Sequence, residues 1–179
     1  MTNTSSKDIL RSTIVMFLFV GLVGIWVGGC EGRETQEQTV ERLIKRLGHK
    51  KANVRANAAG ALGRIGKDAV PALIQALKDQ DSNVRFAAAY ALGEIGEGAV
   101  NAVPALIQAL QDEHVRGNAA MALGQIGTLE ALKAAVPVLI KVLQDPDAEG
   151  RFRSIVARIL GEIDTPDALK AVEEYQSRQ

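Results

Sequence analysis

The chain has 179 residues, 47% of them hydrophobic and only 4% aromatic, which suits one domain with a core of Ala, Leu, Ile and Val. Its 21 basic and 21 acidic side chains balance, so it lacks the electrostatic field that draws a protein to nucleic acid or to an anionic membrane surface. With one cysteine, Cys30, and two histidines, His49 and His114, neither an intrachain disulfide nor a cysteine-based zinc site can form. No metal or other cofactor is expected.

The first thirty residues have the pattern of an export signal. Lys7 and Arg11 precede an apolar or small stretch over 14–27, which is followed by two glycines and Cys30. The stretch is shorter than the roughly 20 residues that cross a bilayer, so a cleaved secretory signal is favoured. An uncleaved anchor that also uses the glycines, with Cys30 merely its last residue, is the alternative.

The end of this segment resembles the lipobox of bacterial lipoprotein signal peptides, in which an aliphatic residue and two small residues precede a cysteine. Val27, Gly28 and Gly29 take those places before Cys30. The resemblance implies cleavage between Gly29 and Cys30 and attachment of diacylglycerol to the Cys30 thiol. Several acyl chains would anchor the protein firmly, whereas a single chain gives only marginal binding.

This pattern divides the chain into three parts. The predicted leader covers 1–29, the lipidated cysteine and a short polar tether cover 30–38, and the folded domain covers 39–179.

A block of about thirty residues recurs through the folded domain. Each copy has a Val-Arg pair, an alanine-rich helix ending in Ala-Leu-Gly-x-Ile-Gly, and a second helix that begins at proline. Because one helical hairpin cannot bury its apolar faces alone, stacked copies must complete the core. The sequence therefore predicts an all-α fold, a right-handed α-solenoid of about four stacked helical hairpins, with an N-terminal cap helix over 40–47 and a last helix over 166–176.

Glycine and proline mark the expected turns of each hairpin. Gly66 is placed to end a first helix with positive φ, and Pro71 can begin the second helix. Ser82 or Asn83 is expected to cap the next first helix. The repeat arginines are spaced by 30, 31 and 37 residues, and the added residues are expected in turns at 97–99, 128–131 and 146–150.

Over roughly residues 40–164 these copies resemble the short HEAT-like repeats of the phycobilisome lyase type. The resemblance implies the solenoid fold, but most proteins with such repeats are adaptors or have no assigned chemistry. Because relatives of lyase type act in the cytoplasm and this chain carries an export signal, bilin lyase activity is not expected. Deoxyhypusine hydroxylases hold two irons on recurring His-Glu pairs, and no such pair occurs here. We therefore predict no enzyme activity.

Four arginines recur at the start of the first helices and could form a row of anion receptors. The family resemblance favours a structural role, in which each arginine bonds a carboxylate or carbonyls of the turn before it. The arginine of the first copy has lysines in that turn instead of an aspartate, and is expected to be the free member. This structural ladder comprises Arg55, Arg85, Arg116, Arg153, Asp79, Asp112 and Asp145.

Polar side chains on the second helices align from copy to copy and lie off the apolar stripe. In HEAT-like solenoids the second helices line the concave surface, so the resemblance makes this row the default ligand-facing surface; a solvated helix face is the alternative. Glutamine and lysine without interleaved carboxylates or serines suit protein contacts rather than catalysis. This candidate protein-binding surface, here called the polar ribbon, comprises Lys45, Gln75, Lys78, Gln108, Gln111, Lys141 and Gln144.

Three larger side chains on the first helices stand apart from the alanine-rich pattern. Phe86 and Tyr90 are one helical turn apart, and Met121 takes the place of Tyr90 in the next copy. We interpret them as packing between adjacent repeats; an exposed interaction spot is the alternative.

Taken together, the sequence predicts a monomeric scaffold or adaptor in the bacterial cell envelope, anchored to a membrane on the exported side through lipid on Cys30. Its partner would be another protein, bound through the polar ribbon, because a repeat surface offers shape and several weak polar contacts rather than a deep pocket. An accessory factor in bilin or other cofactor handling and a purely structural spacer are the alternatives.

Overall fold

Helices and short turns make up residues 34–178, the part of the chain that the computed structural model describes, and no strand occurs there. The predicted leader, Cys30 and the first residues of the predicted tether lie outside these residues. The repeats belong to a unit that begins at Gln36. The predicted all-α class is confirmed.

A cap helix precedes four helical hairpins in the described part of the chain. The cap helix, α1 (Gln36–Leu47), begins before Val40, so residues 36–38, expected in the tether, are helical. Each hairpin has a first and a second helix. They are α2 (Ala52–Ile65) and α3 (Val70–Ala76), α4 (Ser82–Ile95) and α5 (Val103–Ala109), α6 (Arg116–Ile126) and α7 (Leu129–Gln144), and α8 (Gly150–Ile163) and α9 (Pro166–Gln176).

The helices pack in two layers, as the stacked-hairpin prediction requires. In the first layer, α2 contacts α4, α4 contacts α6, and α6 contacts α8. In the second layer, α5 packs on α7 and α7 on α9, and the cap helix α1 packs on both α2 and α3. The leucine of each Ala-Leu-Gly element is fully buried between the layers, together with the matching leucines of the second helices. These core leucines are Leu62, Leu92, Leu123, Leu160, Leu73, Leu106 and Leu139.

Each first helix ends on a residue with positive φ. Gly66 has φ 77°, as predicted, and Gly96 and Gly127 have φ 64° and 63°. The fourth repeat carries Asp164 at this place with φ 53°. Aspartate tolerates this conformation better than most residues that have a Cβ, so the same turn forms without glycine.

The third hairpin departs from the predicted pattern. Contrary to the turn expected over 128–131, α7 begins at Leu129 and runs through Pro137, so the added residues lengthen the second helix. Apolar residues spaced by three and four explain this, because they form a stripe that the helix buries. The buried members are Leu132, Val136, Leu139 and Leu143.

In the second hairpin the added residues lie, as expected, between the two helices, where Gly96–Ala102 forms short 3₁₀ turns interrupted at Ala99. The N-cap of α4 also differs from the prediction. The cap is Asp81, whose Oδ1 accepts the backbone N–H of Asn83 at 2.9 Å, and not Ser82 or Asn83. Side-chain and backbone hydrogen bonds from Asn83 hold the pKa of Asp81 below its ordinary value.

The turns between hairpins are built on the three aspartates of the structural ladder. Asp79, Asp112 and Asp145 each accept, through Oδ1, the backbone N–H two residues further on, at 2.8, 2.9 and 3.0 Å. An aspartate that bonds its own backbone in this way stabilises a turn. Each of these carboxylates therefore has a backbone partner.

Arg85 connects two successive turns. Its Nη1 donates to the carbonyls of Asp79 and Gln80 at 2.8 and 2.9 Å, and its Nε donates to Oδ2 of Asp112 at 2.6 Å. The carboxylate partner therefore lies in the following turn and not, as predicted, in the preceding one. Asp112 is consequently paired with Arg85 rather than with Arg116.

The pKa of Asp112 reflects this pairing. Burial of the carboxyl opposes ionisation, but hydrogen bonds from Arg85 and from the backbone N–H of His114, with the charge of Arg85, outweigh it and lower the pKa.

Arg55, expected to be the free arginine, also has partners. Its Nη1 donates to the carbonyls of His49 and Lys50 at 2.9 and 3.2 Å. The turn has no aspartate, but its carbonyls are acceptors that every residue supplies, so the missing carboxylate does not release the arginine.

The glycines of the Ala-Leu-Gly element let the first helices approach closely. A Cβ added at Gly93 would lie 3.2 Å from Cα of Ala122 on α6 and would overlap the side-chain oxygen of Gln125. At Gly161, the aligned residue of α8, a Cβ would meet nothing within 4 Å. Both residues are the glycine of the repeat and both lie within a first helix, but only Gly93 faces a neighbouring helix closely.

We therefore expect opposite effects of alanine at these two positions. Gly93→Ala should lower the free energy of unfolding by about 1–3 kcal/mol, because backbone of α6 must move. Gly161→Ala should raise it by about 0.5–1 kcal/mol, because alanine favours a helix interior over glycine. Urea unfolding of both variants measures these free energies. Equal changes in the free energy of unfolding would contradict the close approach of α4 and α6.

Asp112→Asn is expected to lower the free energy of unfolding at neutral pH by about 1–2 kcal/mol, because it removes a charge-assisted hydrogen bond. The folded-state pKa of Asp112 is lowered, so the stabilisation is complete above the ordinary pKa of 3.8 and is lost as the pH falls through the folded-state value.

Asp145→Asn is the matched control, because Asp145 also accepts a backbone N–H in its turn but forms no ion pair among the described residues. Urea melts at pH 7 and pH 3 should show a pH-dependent deficit for Asp112→Asn alone. Equal deficits in the two variants would show that the ion pair with Arg85 contributes nothing.

Candidate functional site

The polar ribbon lies on the second-helix layer, and all seven of its side chains are exposed. Lys45 is on α1, Gln75 on α3, Gln108 on α5 and Lys141 on α7, so each successive helix contributes one. Within residues 34–178 these four side chains have neither a hydrogen bond nor an ion pair, so their polar groups face solvent.

The second row of the ribbon is less regular than predicted. Gln144 is the last residue of α7, but α3 and α5 end at Ala76 and Ala109. Lys78 and Gln111 therefore lie in the turns after these short helices and not on the helices.

Part of the ribbon borders a pocket between two successive inter-hairpin turns. The pocket has a volume of about 440 Å³ and joins the turn after α5 to the turn between α7 and α8. Its floor is apolar and its rim is polar, with two cationic groups and one carboxylate. We call it the ribbon pocket; its lining is Leu110, Gln111, Arg116, Lys141, Val142, Gln144, Asp145, Ala148 and Phe152.

Arg116 is the central charged group of the ribbon pocket. Its guanidinium carbon lies over the Phe152 ring, 5.0 Å from the ring centroid, in a cation–π contact. Unlike that of Arg85, the side chain of Arg116 donates no hydrogen bond and forms no ion pair within the described part of the chain. Asp145 occupies, one repeat later, the place that Asp112 has relative to Arg85, yet the corresponding pair does not form.

Two features of the sequence accompany this difference. Phe152 takes the place of Val84 and Val115, so a ring is present beside Arg116. Asp145 also lies 29 residues after Arg116, whereas Asp112 lies 27 residues after Arg85. Phe152 was not among the predicted site residues, although an alignment of the copies shows a phenylalanine there in place of the repeat valine.

The last member of the ladder, Arg153, also contacts a ring. Its guanidinium carbon lies 6.0 Å from the centroid of the Tyr175 ring on α9, and its Nε is buried without a hydrogen-bond partner. The four ladder arginines thus divide into two kinds: Arg55 and Arg85 bond turn carbonyls, whereas Arg116 and Arg153 lie over rings.

The first-helix layer carries an apolar groove. Contrary to the packing interpretation, Phe86, Tyr90 and Met121 remain 48%, 41% and 38% exposed. Phe86 and Tyr90 form one side of a groove of about 460 Å³, because the facing residues of α2 are small. These small residues are Ala52, Ala56, Ala59 and Gly60.

Among residues 34–178 no three His, Cys, Asp or Glu side chains come close enough together to hold a metal ion. No helix in the same residues has the length and apolar character that crossing a membrane requires.

Comparison with known structures gives the same architecture. The complex of CpcE and CpcF of phycocyanin lyase from Nostoc sp. PCC7120 is 25% identical, with a TM-score of 0.65, over 78% of this chain and 87% of that chain. An engineered protein is 28% identical, with a TM-score of 0.52, over 76% of this chain and 68% of its own. A designed armadillo repeat protein in complex with the peptide (KR)4, 18% identical with a TM-score of 0.52, shares the fold.

Comparison with curated proteins gives no match. The sequence pattern of HEAT repeats matches residues 40–114 and 103–178, which together span nearly all of the described helices. The copies of the Val-Arg and Ala-Leu-Gly elements lie within these two ranges. The chain therefore belongs to the HEAT-repeat family, with repeats of the phycobilisome lyase type.

Proposed function

We propose that the protein is a scaffold or adaptor that binds another protein of the cell envelope through the polar ribbon, and that it is not an enzyme. The observation that carries this proposal is the row of exposed polar side chains, one on each of four successive helices of the second layer, that have no partner within residues 34–178. Lysine ammonium groups and glutamine amides can bond backbone and side-chain groups of a partner. A surface built from stacked repeats suits an extended segment or a helix.

The likeness to the CpcE–CpcF structure supports a protein partner, because in that structure two different proteins form a complex. The repeats of this chain have the same fold over most of both lengths. We infer from this likeness only that such a surface can serve protein binding, and the partner here is a protein of the compartment to which the chain is exported.

The anchor is the second part of the proposal. Diacylglycerol on Cys30 would hold the repeats near the membrane by a few polar residues, since α1 begins at Gln36. Lipidation with more than one acyl chain gives stable attachment without a membrane-spanning helix.

Alanine at Gln75, Gln108 and Lys141 together is expected to remove the partner from the protein purified from cross-linked membranes. The matched control is alanine at Asn57, Arg64 and Glu94, which are exposed on the first-helix layer. Quantitative mass spectrometry should show a protein retained by the control and lost from the ribbon variant. If both variants retain the same proteins, the ribbon is a solvated surface and the protein is a structural spacer.

The intact mass of the protein purified from bacterial membranes tests the anchor. We expect a chain that begins at residue 30 and carries a lipid increment, while Cys30→Ser gives an unlipidated form. A full-length, unmodified mass in both would show that the leader is an uncleaved anchor.

Handling of a bilin is the second candidate, favoured by the likeness to phycocyanin lyase. A change in the absorbance spectrum of free bilin on mixing with the protein would support it, and an unchanged spectrum would remove it.

A further inference from the structure

We propose that the ribbon pocket binds a carboxylate of the partner, and that the partner segment is acidic with an apolar residue beside the acidic one. Arg116 is the group that holds this carboxylate. The inference rests on the proposed function, because it assigns the chemistry of the segment that the polar ribbon binds.

The guanidinium of Arg116 is held beside a ring but has no hydrogen-bond acceptor among the described residues. The guanidinium carbon lies over the Phe152 ring, 5.0 Å from its centroid, and this cation–π contact restrains the group. The N–H groups around the edge of the guanidinium have no hydrogen-bond acceptor among residues 34–178. A planar guanidinium offers two parallel N–H donors that match the two oxygens of a carboxylate, and stacking reduces the side-chain freedom that binding would remove.

Arg85, which is aligned with Arg116 in the previous repeat, binds a carboxylate. Arg85 donates from Nε to the Asp112 carboxylate at 2.6 Å. Because Arg116 has the same place at the start of its helix and no such partner in the described chain, the same kind of bond is available to a carboxylate from another protein.

The remaining lining of the ribbon pocket agrees with an anionic segment that is partly apolar. Lys141 adds a second positive charge, and the amides of Gln111 and Gln144 can donate hydrogen bonds. Asp145 is the one acidic group of the lining, and its Oδ1 already accepts the backbone N–H of Asp147. With two cations and one carboxylate, the pocket has one excess positive charge.

The apolar side chains of the pocket favour an apolar group next to the bound carboxylate. Leu110, Val142, Ala148 and Phe152 offer carbon surface beside the guanidinium. The methylene groups of a glutamate or an adjacent leucine would cover this surface and exclude water. A phosphate dianion would have only one excess positive charge to meet it and would leave the floor uncovered, so we assign a carboxylate.

The probes for the test are acetylated, amidated heptapeptides with one glutamate flanked by leucines, and twins with glutamine in its place. NMR of the Arg116 Nε–Hε group should report binding of the glutamate peptides and not of the twins. Inorganic phosphate is the third probe. Equal binding of both peptides, or a response of Arg116 to phosphate alone, would overturn the proposal.

Three variants sharpen the test. Arg116→Lys keeps the charge but loses the paired donors, so binding of the glutamate peptide should weaken by about tenfold or more. Asp145→Asn removes the opposing charge and keeps the turn acceptor, so binding should become tighter. Arg158→Lys on α8, outside the lining, is the control and should bind like the unaltered protein. No change in Arg116→Lys would count against the pocket.

The same variants distinguish this inference from the proposed function. In the membrane purification, Gln75→Ala with Gln108→Ala, which leaves the ribbon pocket intact, is compared with Arg116→Lys. If the ribbon variant loses the partner and Arg116→Lys keeps it, the ribbon binds the partner and the carboxylate assignment is wrong. If both variants keep it, the proposed function itself fails.

Discussion

The close contact between successive first helices is the constraint on which the rest of the structure depends. No hairpin buries its own apolar residues, so every hairpin needs a neighbour at a distance that leucine and alanine can fill. Alanines on the facing sides and Gly93 against Ala122 set that distance between α4 and α6. Once it is set, the second helices form their own layer, and the ribbon side chains Lys45, Gln75, Gln108 and Lys141 are exposed on it.

The turns between hairpins show how a repeated residue can change its role without changing its place. Arg85 binds carbonyls of the turn before it and a carboxylate of the turn after it, which ties three hairpins together. Arg116 begins its helix in the same way, but its guanidinium lies over the ring of Phe152 instead. A residue that is structural in one repeat is thus available for binding in the next, and the difference arises from its neighbours rather than from the residue itself.

Most of the fold could be predicted because each copy of the repeat shows the same apolar spacing and the same glycine positions. The buried leucines, Gly66 with positive φ and the exposed ribbon follow from apolar spacing and glycine placement, which are local properties. The helical course of 129–136 could have been recognised from its buried stripe. The partner of Arg85 and the exposure of Phe86 depend on which groups of other repeats lie nearby, and a single copy of the motif does not contain that information. The cap by Asp81 is local, but Asp, Ser and Asn all favour the N-cap, so the sequence does not decide among three adjacent candidates.

Because the second helices have unequal lengths, the two ends of the polar ribbon differ. α3 and α5 have seven residues each, whereas α7 has sixteen. The row that ends at Gln144 is therefore not a repetition of identical units, and the environments around Gln75 and Lys141 differ. A segment bound along the ribbon, as proposed, would meet different groups if it were displaced by one hairpin or reversed end to end, so the unequal helices would set its register and polarity.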